Sequence, residues 1–409
     1  MSTAAPIGFQ IMPLPRWLRV ANGAAAIVSG ERWELTPERF MTAAGHAAGL
    51  PPEFPAHVHE ALEVLCKSLR DDAKLHWFGT ANTEDLLVTG LAEMLRVEKM
   101  FADDPSLAKT PLLSPVIVTG LPRSGTTFLH RLLSASPDAI GVPMYRHVYP
   151  TRPEPFDYRL RLTQVKFFPW LAASKVYGLD AIHYVRPELP DECNFGMRLA
   201  GRSIIYWATS PVHTYLRWLL TQDLREGYQL YRKVLILHQR ANPGRRLTLK
   251  CPHHLAWLPA LTETLPEAII VQTHRDPVEV VPSECKLILS LQGLSVREID
   301  VQRTVESNHL KVVTYAERSA AFADTDAGRR ILHLDYRTLV RDPVGAAADI
   351  HQRANLPFTS AHRNTLGRFA AENRQHKHGK HVYSLGEFGL DEAKIKREFA
   401  AYRERFLRA

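Results

Sequence analysis

The chain has 409 residues, 45% of them hydrophobic, which is enough to bury one large core or two smaller ones. Its four cysteines are scattered without a CxxC pair, which argues against a disulfide framework or a zinc cluster and favours a reducing compartment. No apolar run is long enough for a membrane span and the amino terminus does not resemble a secretion signal, so we expect a cytoplasmic protein.

The net charge is +8 with nineteen histidines counted as neutral, and the isoelectric point is about 9.3. Lys and Arg are dispersed instead of forming a block interleaved with aromatic residues, which disfavours nucleic-acid binding. A site for a highly charged nucleotide explains the positive net charge equally well. We therefore expect small-molecule ligands and no nucleic-acid partner. The sequence leaves open whether the protein forms homo-oligomers.

Residues 1–110 are predicted to form a helical region. Apolar residues recur at spacings of three and four in ERFMTAAGHAA, PEFPAHVHEALEVLCKSLRDDAKL and EDLLVTGLAEMLRVEKMFADDP. Breaks are predicted at Pro51–Pro52 and around Asn82. We expect these helices to pack against residues 111–409, which we treat as a second domain.

The stretch VIVTGLPRSGTTFLHRLL predicts a strand, a tight loop and a helix. Gly120 and Gly125 have the glycine spacing of a Walker phosphate loop, but Thr126 stands where that loop carries its lysine. The loop backbone and the helix N-terminus would face an anion, Thr126 and Thr127 add hydroxyl donors, and Arg123 adds a full charge. Without the lysine, the loop suits a single phosphate or a phosphosulfate better than the γ-phosphate of ATP.

Beyond this loop, predicted strands alternate with helices. Further strands are expected at 246–250, 268–274 and 331–335, each followed by a helical stretch, which is typical of βαβ units on a parallel sheet. Residues 155–240 are mainly helical in pattern and rich in aromatic side chains, which either wall an acceptor pocket or fill the core. The predicted fold class is α/β, with helices flanking a parallel sheet and a helical region before it.

The string PRSGTT between a strand and a helix resembles the phosphosulfate loop of the sulfotransferases that use 3′-phosphoadenosine 5′-phosphosulfate (PAPS). The resemblance extends over residues of about 115–400 and points to the bacterial branch of that family, with a P-loop nucleotide-hydrolase-like fold. It implies that PAPS is bound by a run of residues in this loop: Arg123, Ser124, Gly125, Thr126, Thr127 and Phe128. Phe128 stands where the cytosolic animal enzymes often carry a tryptophan beside the adenine.

Two further stretches resemble the family's contacts to the 3′-phosphate of PAPS. Arg275 follows the strongest predicted strand and Ser283 lies eight residues on, which is the family's arginine–serine spacing. A guanidinium offers a two-pronged grip on a phosphate, and a hydroxyl at the next helix completes it. A late basic loop, RQHKHGKH, resembles one that covers the nucleotide in related enzymes and implies second contacts from Lys380 and His381.

The segment LKCPHHL resembles the family motif KxPxH, in which a lysine and a histidine face the transferred group. Lys250 would stabilise charge on the departing phosphate, and a histidine would take the proton of the acceptor. The bacterial pattern favours His254 as this base, whereas the spacing of the animal enzymes favours His253; we expect His254 to take the proton. Glu192 lies in a string similar to ELPEECN of the bacterial branch; it is an alternative base, a carboxylate that orients a histidine, or simply the acid that begins a helix.

We therefore predict a sulfotransferase that moves a sulfuryl group from PAPS to a hydroxyl or amine of a small-molecule, lipid or carbohydrate acceptor, without a metal. A P-loop kinase or ATP hydrolase is one alternative, which the missing lysine disfavours. The other is a non-catalytic protein that binds 3′-phosphoadenosine 5′-phosphate (PAP), the product of the donor. Aromatic residues within 165–220 hint at an apolar acceptor.

Overall fold

A parallel β-sheet lies at the centre of the computed structural model, which describes residues 8, 14–29, 34–151, 158–176, 179, 184–373 and 384–407. The strands are β1 (Val116–Gly120), β2 (Ala139–Gly141), β3 (Arg246–Lys250), β4 (Ile269–His274) and β5 (Leu332–Asp335). Their order across the sheet is β2-β3-β1-β4-β5, and every neighbouring pair is parallel. Each crossover between parallel strands needs a long connection, which helices provide.

The central position of β1 determines which residues meet at one edge of the sheet. Val118 pairs with Lys250 on one side and with Val271 on the other, and Gly120 pairs with Thr273. All five residues of β1 are buried, as expected for an apolar strand covered on both faces. The carboxyl ends of β1, β3 and β4 therefore lie side by side, where open α/β sheets bind their ligands.

Four helices precede the sheet, and the last three of them share its core. They are α1 (Arg16–Ser29), α2 (Pro37–Ala48), α3 (Ala56–Asp71) and α4 (Trp77–Asp103). Helix α2 begins after Thr36, whose hydroxyl accepts from Arg39 N, and ends at Gly49 in the left-handed conformation. Buried residues of these helices, such as Phe40 and Leu91, belong to one hydrophobic cluster with Ile117 of β1.

The remaining helices surround the sheet, and some of them contribute to the wall of a cavity. They are α5 (Thr126–Ser134), α6 (Met144–Val148), α7 (Tyr158–Val176), α8 (Asn194–Met197), α9 (Ile205–Thr209), α10 (His213–Thr221), α11 (Arg225–Arg240), α12 (Leu258–Thr264), α13 (Pro277–Gly293), α14 (Val301–Phe322), α15 (Tyr336–Arg341), α16 (Pro343–Arg353), α17 (Ser360–Glu372), α18 (Glu392–Glu398) and α19 (Ala400–Phe406). Every described helix is too short or too polar to cross a lipid bilayer.

The predicted α/β class, with its parallel sheet and preceding helices, is confirmed. The predicted break around Asn82 is wrong, because α4 runs through it without interruption. Strand β2 was not predicted, since its three residues contain a single large apolar side chain, Ile140, and give no period. The residues Lys380 and His381, predicted to contact the 3′-phosphate, lie outside the described residues.

Candidate active site

The loop between β1 and α5 has a backbone that requires glycine at two positions. Gly120 has φ of 146°, and a Cβ atom there would lie 2.4 Å from Thr273 Oγ1. Gly125 has φ of 87°, and a Cβ atom there would lie 2.9 Å from Tyr336 Cδ2. Arg123 between them also has a left-handed φ, 64°, which is uncommon for a residue with a side chain. The two glycines thus allow the loop to pack closely against the ends of β4 and β5.

The predicted loop residues divide into those that form the loop and those that face a cavity. The buried hydroxyl of Ser124 donates to Leu121 O at 2.6 Å and lies 2.7 Å from Thr273 Oγ1, so it holds the loop together. Phe128 packs against Phe369, with ring centroids 6.2 Å apart, and does not line the cavity. The cavity is lined instead by three other members of the predicted set: Arg123, Thr126 and Thr127.

The predicted arginine–serine pair meets this loop. Arg123 Nε donates to Ser283 Oγ at 3.1 Å, and an Nη of Arg275 donates to Arg123 O at 2.9 Å. The rest of the Arg275 guanidinium contacts Glu279 Oε2, at 3.0 Å from Nε and 2.6 Å from the second Nη, and lies 4.5 Å from the ring centroid of Tyr336. Two guanidinium groups and a buried hydroxyl are thereby brought together in one cluster, of which Arg123 lines the cavity whereas Arg275 and Ser283 do not. Groups of this kind are the donors that bind phosphate.

A carboxylate lies at the neighbouring end of β3. Lys250 Nζ donates to Glu192 Oε1 at 2.7 Å, and Asn194 Nδ2 donates to Glu192 Oε2 at 2.9 Å. The segment is fixed to the strand by Cys193 N, which donates to Lys250 O at 2.9 Å. Glu192 lines the cavity together with His253, whose Nε2 lies 4.0 Å from Glu192 Oε2. Lys250 is almost completely buried behind the carboxylate and does not line the cavity.

The two adjacent histidines have different surroundings. His253 lines the cavity and its Nδ1 lies 2.7 Å from Tyr315 Oη. His254 is fully buried, its Nδ1 lies 2.7 Å from Tyr228 Oη, and it does not line the cavity. Burial, and next to it the charge of Lys311, lowers the pKa of His253 well below its usual value. Burial lowers the pKa of His254 to about 3. The sequence favoured His254 as the base, whereas the structure brings His253 to the cavity.

Glu192, Cys251 and His253 place donor atoms within 4.8 Å of one another, which is close enough for a metal ion. The chemistry of the group fits a cation poorly. Burial raises the pKa of the Cys251 thiol well above its usual value, and the thiol donates to Asn194 Oδ1 at 3.2 Å. The carboxylate already carries the ammonium of Lys250. A divalent cation would have to displace the proton of the Cys251 thiol and the ammonium of Lys250.

The cavity is open to solvent, and the empty space between its lining residues is about 1350 Å³ when the solvent at its mouth is included. Away from the loop its wall is largely apolar, with contributions from several helices: Val148, Phe167, Trp170, Phe195, Ile205 and Ile288. Some of the aromatic residues of 155–240 therefore line the cavity, and others fill the core. Phe167 and Trp170 wall the cavity, while Tyr215 and Trp207 are fully buried in the core.

A few polar residues of the cavity wall were not predicted from the sequence. Asp85 of α4 and Lys166 of α7 form an ion pair there, and Glu284 of α13 lines the wall beside Ser283. No motif marks these positions, because their neighbours in space come from distant parts of the chain. The only signal in the sequence is a charge within an otherwise apolar stretch, which is normally a solvated residue.

Comparison with known proteins gives two kinds of match. The sequence profile of the sulfotransferase family matches residues 115–360. Among solved structures, sulfotransferase STF1 from Mycobacterium tuberculosis H37Rv is 27% identical, with a TM-score of 0.74 over 90% of this chain and 100% of its own. Sulfotransferase STF9 from Mycobacterium avium is 23% identical, with a TM-score of 0.81 over 92% of this chain and 98% of its own, and shows the shared fold. No curated protein sequence matches the chain.

Proposed function

This chain belongs to the sulfotransferase family, and we propose that it moves a sulfuryl group from PAPS to a hydroxyl or amine of a small-molecule, lipid or carbohydrate acceptor. The observation that carries the proposal is the contact between Arg123 and Ser283, 3.1 Å long, which joins the two predicted phosphate-binding motifs at one end of the cavity. Glu192 and His253 line the same cavity. A donor nucleotide and a proton acceptor would therefore face one space.

The phosphate loop would hold the 5′ end of the donor. Its backbone N–H groups and the N-terminus of α5 would face the phosphosulfate, with Thr126 and Thr127 adding hydroxyl donors. Arg123 would bind the phosphates from inside the loop, in place of the missing Walker lysine. Ser283 and Arg275 would hold the 3′-phosphate, which distinguishes PAPS from ATP and AMP. PAPS supplies the sulfuryl group, whose bond to the 5′-phosphate breaks as the acceptor oxygen or nitrogen bonds to sulfur.

We assign the base role to His253. The lowered pKa keeps the imidazole neutral near pH 7. If its proton lies on Nδ1, where Tyr315 Oη accepts it, Nε2 has a lone pair for the acceptor proton. The Glu192 carboxylate, 4.0 Å from Nε2, would then stabilise the imidazolium that forms. Lys250 would act by holding Glu192 in place, because its ammonium lies on that carboxylate.

Ligand-dependent stabilisation tests this proposal. The melting temperature of the protein is measured with PAP, AMP and ATP–Mg at matched concentrations, followed by transfer from labelled PAPS to a panel of acceptors. We expect PAP to stabilise far more than AMP, and a labelled acceptor to appear. Preference for ATP–Mg would overturn the proposal in favour of a kinase or ATP hydrolase. Stabilisation by PAP without transfer to any acceptor class would support the non-catalytic PAP-binding protein instead.

A further inference from the structure

Exposed apolar side chains are concentrated around the cavity. Of the eight large apolar side chains that are exposed within the described part of the chain, six lie on α1, on α7 or at the start of α4. These six are Trp17, Val20, Trp77, Tyr158, Val165 and Phe168. The inner faces of the same helices belong to the cavity or its surroundings: Leu18 of α1 and Trp170 of α7 share one apolar cluster with Leu287, which lines the cavity. The helices that carry the exposed residues therefore pack against one another, or against the cavity wall, through their inner sides.

The cavity reaches the surface between α4 and α7. Lys166 is the one exposed residue among those that line it, and its ion pair with Asp85 joins the two helices. Val165 precedes Lys166 and is 73% exposed, and Phe168 follows at 67%. Two large apolar side chains thus project into water from the helix that carries Lys166, which is unfavourable unless another surface covers them.

The outward face of α7 is also basic. Its exposed residues follow helical spacing: Tyr158, Arg161, Val165, Phe168 and Lys175. Helix α1 has the same composition on its exposed side, where Arg16 and Arg19 flank Trp17 and Val20. Neither helix contains an aspartate or a glutamate. Among the exposed cations of the two helices, Lys166 pairs with Asp85. The other four form no ion pair with any residue that the structure describes: Arg16, Arg19, Arg161 and Lys175.

We propose that the docking face, defined as the exposed sides of α1 and α7 with Trp77, binds the surface of an anionic lipid bilayer. Aromatic and aliphatic side chains flanked by arginine and lysine are the residues that enter the headgroup region and attract lipid phosphates. A second copy of this chain is a poorer occupant, because two such faces would bring like charges together. The cavity would then open toward the bilayer. If the proposed sulfuryl transfer holds, the acceptor is an amphiphile whose apolar part enters the cavity from the membrane.

Co-sedimentation with lipid vesicles tests the docking face directly. The full chain is mixed with vesicles of phosphatidylcholine alone, or of phosphatidylcholine with phosphatidylglycerol, at low and high salt. We expect binding to the mixed vesicles that weakens with salt. The double variant Val165→Ser/Phe168→Ser should bind at least roughly tenfold more weakly. Arg19→Gln and Arg161→Gln should each weaken binding by about fivefold.

The control variants are Leu113→Ser and Val340→Ser, which change apolar side chains that are 38% and 37% exposed on other elements. They should bind vesicles like the unchanged protein. Equal binding by the double variant, or no binding to the mixed vesicles, would overturn the proposal. The proposal would also be overturned if the unchanged protein formed a dimer in solution and did not bind vesicles, and if the double variant were monomeric. The face would then join two copies of the chain.

Melting temperatures with PAP separate this inference from the proposed function. The double variant should retain full stabilisation by PAP, because neither Val165 nor Phe168 lines the cavity and both side chains are exposed on α7. Vesicle binding without any effect of PAP would support the docking face and overturn the proposed transfer from PAPS. Stabilisation by PAP without vesicle binding would support the proposed function and overturn the docking face.

Discussion

Arg123 Nε donates to Ser283 Oγ at 3.1 Å, a contact between residues 160 positions apart in the chain. The family resemblance pairs Ser283 with Arg275, but Arg275 reaches the same place through Arg123, by donating to its carbonyl oxygen. The two motifs therefore form one cluster instead of two separate sites. A ligand with phosphates at both its 5′ and 3′ positions would use the whole cluster, whereas a ligand with 5′-phosphates alone would use half of it.

Replacement of Ser283 by alanine should selectively weaken binding of PAP. A hydrogen bond to a charged group contributes about 1.5–3 kcal/mol, so the dissociation constant for PAP should rise by roughly tenfold or more, measured by calorimetry. Binding of AMP should change little, because AMP lacks the 3′-phosphate. Ser290→Ala, another buried serine of α13, is the matched control and should leave both affinities unchanged. An equal loss for PAP and AMP would contradict the assignment of Ser283 to the 3′-phosphate.

Glu279 competes for the Arg275 guanidinium, which it contacts through two nitrogen atoms. A 3′-phosphate that binds Arg275 would have to share or displace this exposed carboxylate. Glu279→Gln should therefore increase affinity for PAP by about two- to fivefold, in line with the small free energies of exposed ion pairs. The measurement is a PAP titration at low salt, and the gain should shrink as salt is added.

The matched control for Glu279 is Glu392→Gln, which also breaks an exposed ion pair between residues four apart, here with Lys396. It should not change PAP affinity. A Glu279→Gln variant that binds PAP less tightly would mean that the carboxylate positions Arg275 for the ligand instead of competing with it.

Much of the nucleotide end of the site could be predicted because it depends on local rules. Glycine at 120 and 125 follows from backbone angles that side chains rarely adopt. A strand before the loop and a helix after it follow from apolar patterns. The carboxyl ends of adjacent parallel strands then lie together whatever the sequence between them. Arg123 and Arg275 could therefore be placed near one another without knowledge of the connecting helices.

The choice between His253 and His254 could not be made from sequence, because both lie in one 3-10 turn, Pro252–Trp257. Neighbouring residues in such a turn point about 120° apart, so one of them faces the cavity and the other the core. Partners far away in the chain decide which: Tyr315 lies 62 residues from His253, and Tyr228 lies 26 residues from His254. The cavity wall depends on similarly distant contacts. The sequence pointed to residues 155–240 for this wall but could not say which of their aromatic side chains line the cavity.

Asparagine substitutions at these two positions test the assignment of the base. Asparagine preserves a polar group near the position of Nδ1, so the contacts to Tyr315 and Tyr228 can persist. His253→Asn should lower kcat by about two to four orders of magnitude, the usual contribution of a general base. His254→Asn should lower the melting temperature but leave kcat within a few-fold. The reverse result would restore His254 as the base, and a loss confined to Glu192→Gln would assign the role to the carboxylate.

We expect the burial of His147 to make the stability of the fold sensitive to acid. Its side chain is completely buried beside His238, with ring centroids 5.2 Å apart, and neither of its nitrogens has a hydrogen-bond partner within the described residues. Burial, and next to it the charge of Arg198, lowers the pKa of His147 to about 3. In the unfolded chain the pKa is near 6.5. Protons therefore bind the unfolded chain preferentially, and the contribution of neutral His147 is complete above pH 6.5 and is lost as the pH falls toward 3.

His147→Leu should remove this dependence without loss of the fold, because leucine has a similar volume and no polar atom to bury. Between about pH 6 and pH 4, the free energy of unfolding of the variant should fall less steeply, by roughly 1.4 kcal/mol per pH unit. Urea titrations across this range measure the slope. His59→Leu on α3, where the side chain is exposed, should leave the slope unchanged. If His147→Leu also left it unchanged, another proton acceptor would have to account for the sensitivity of the fold to acid.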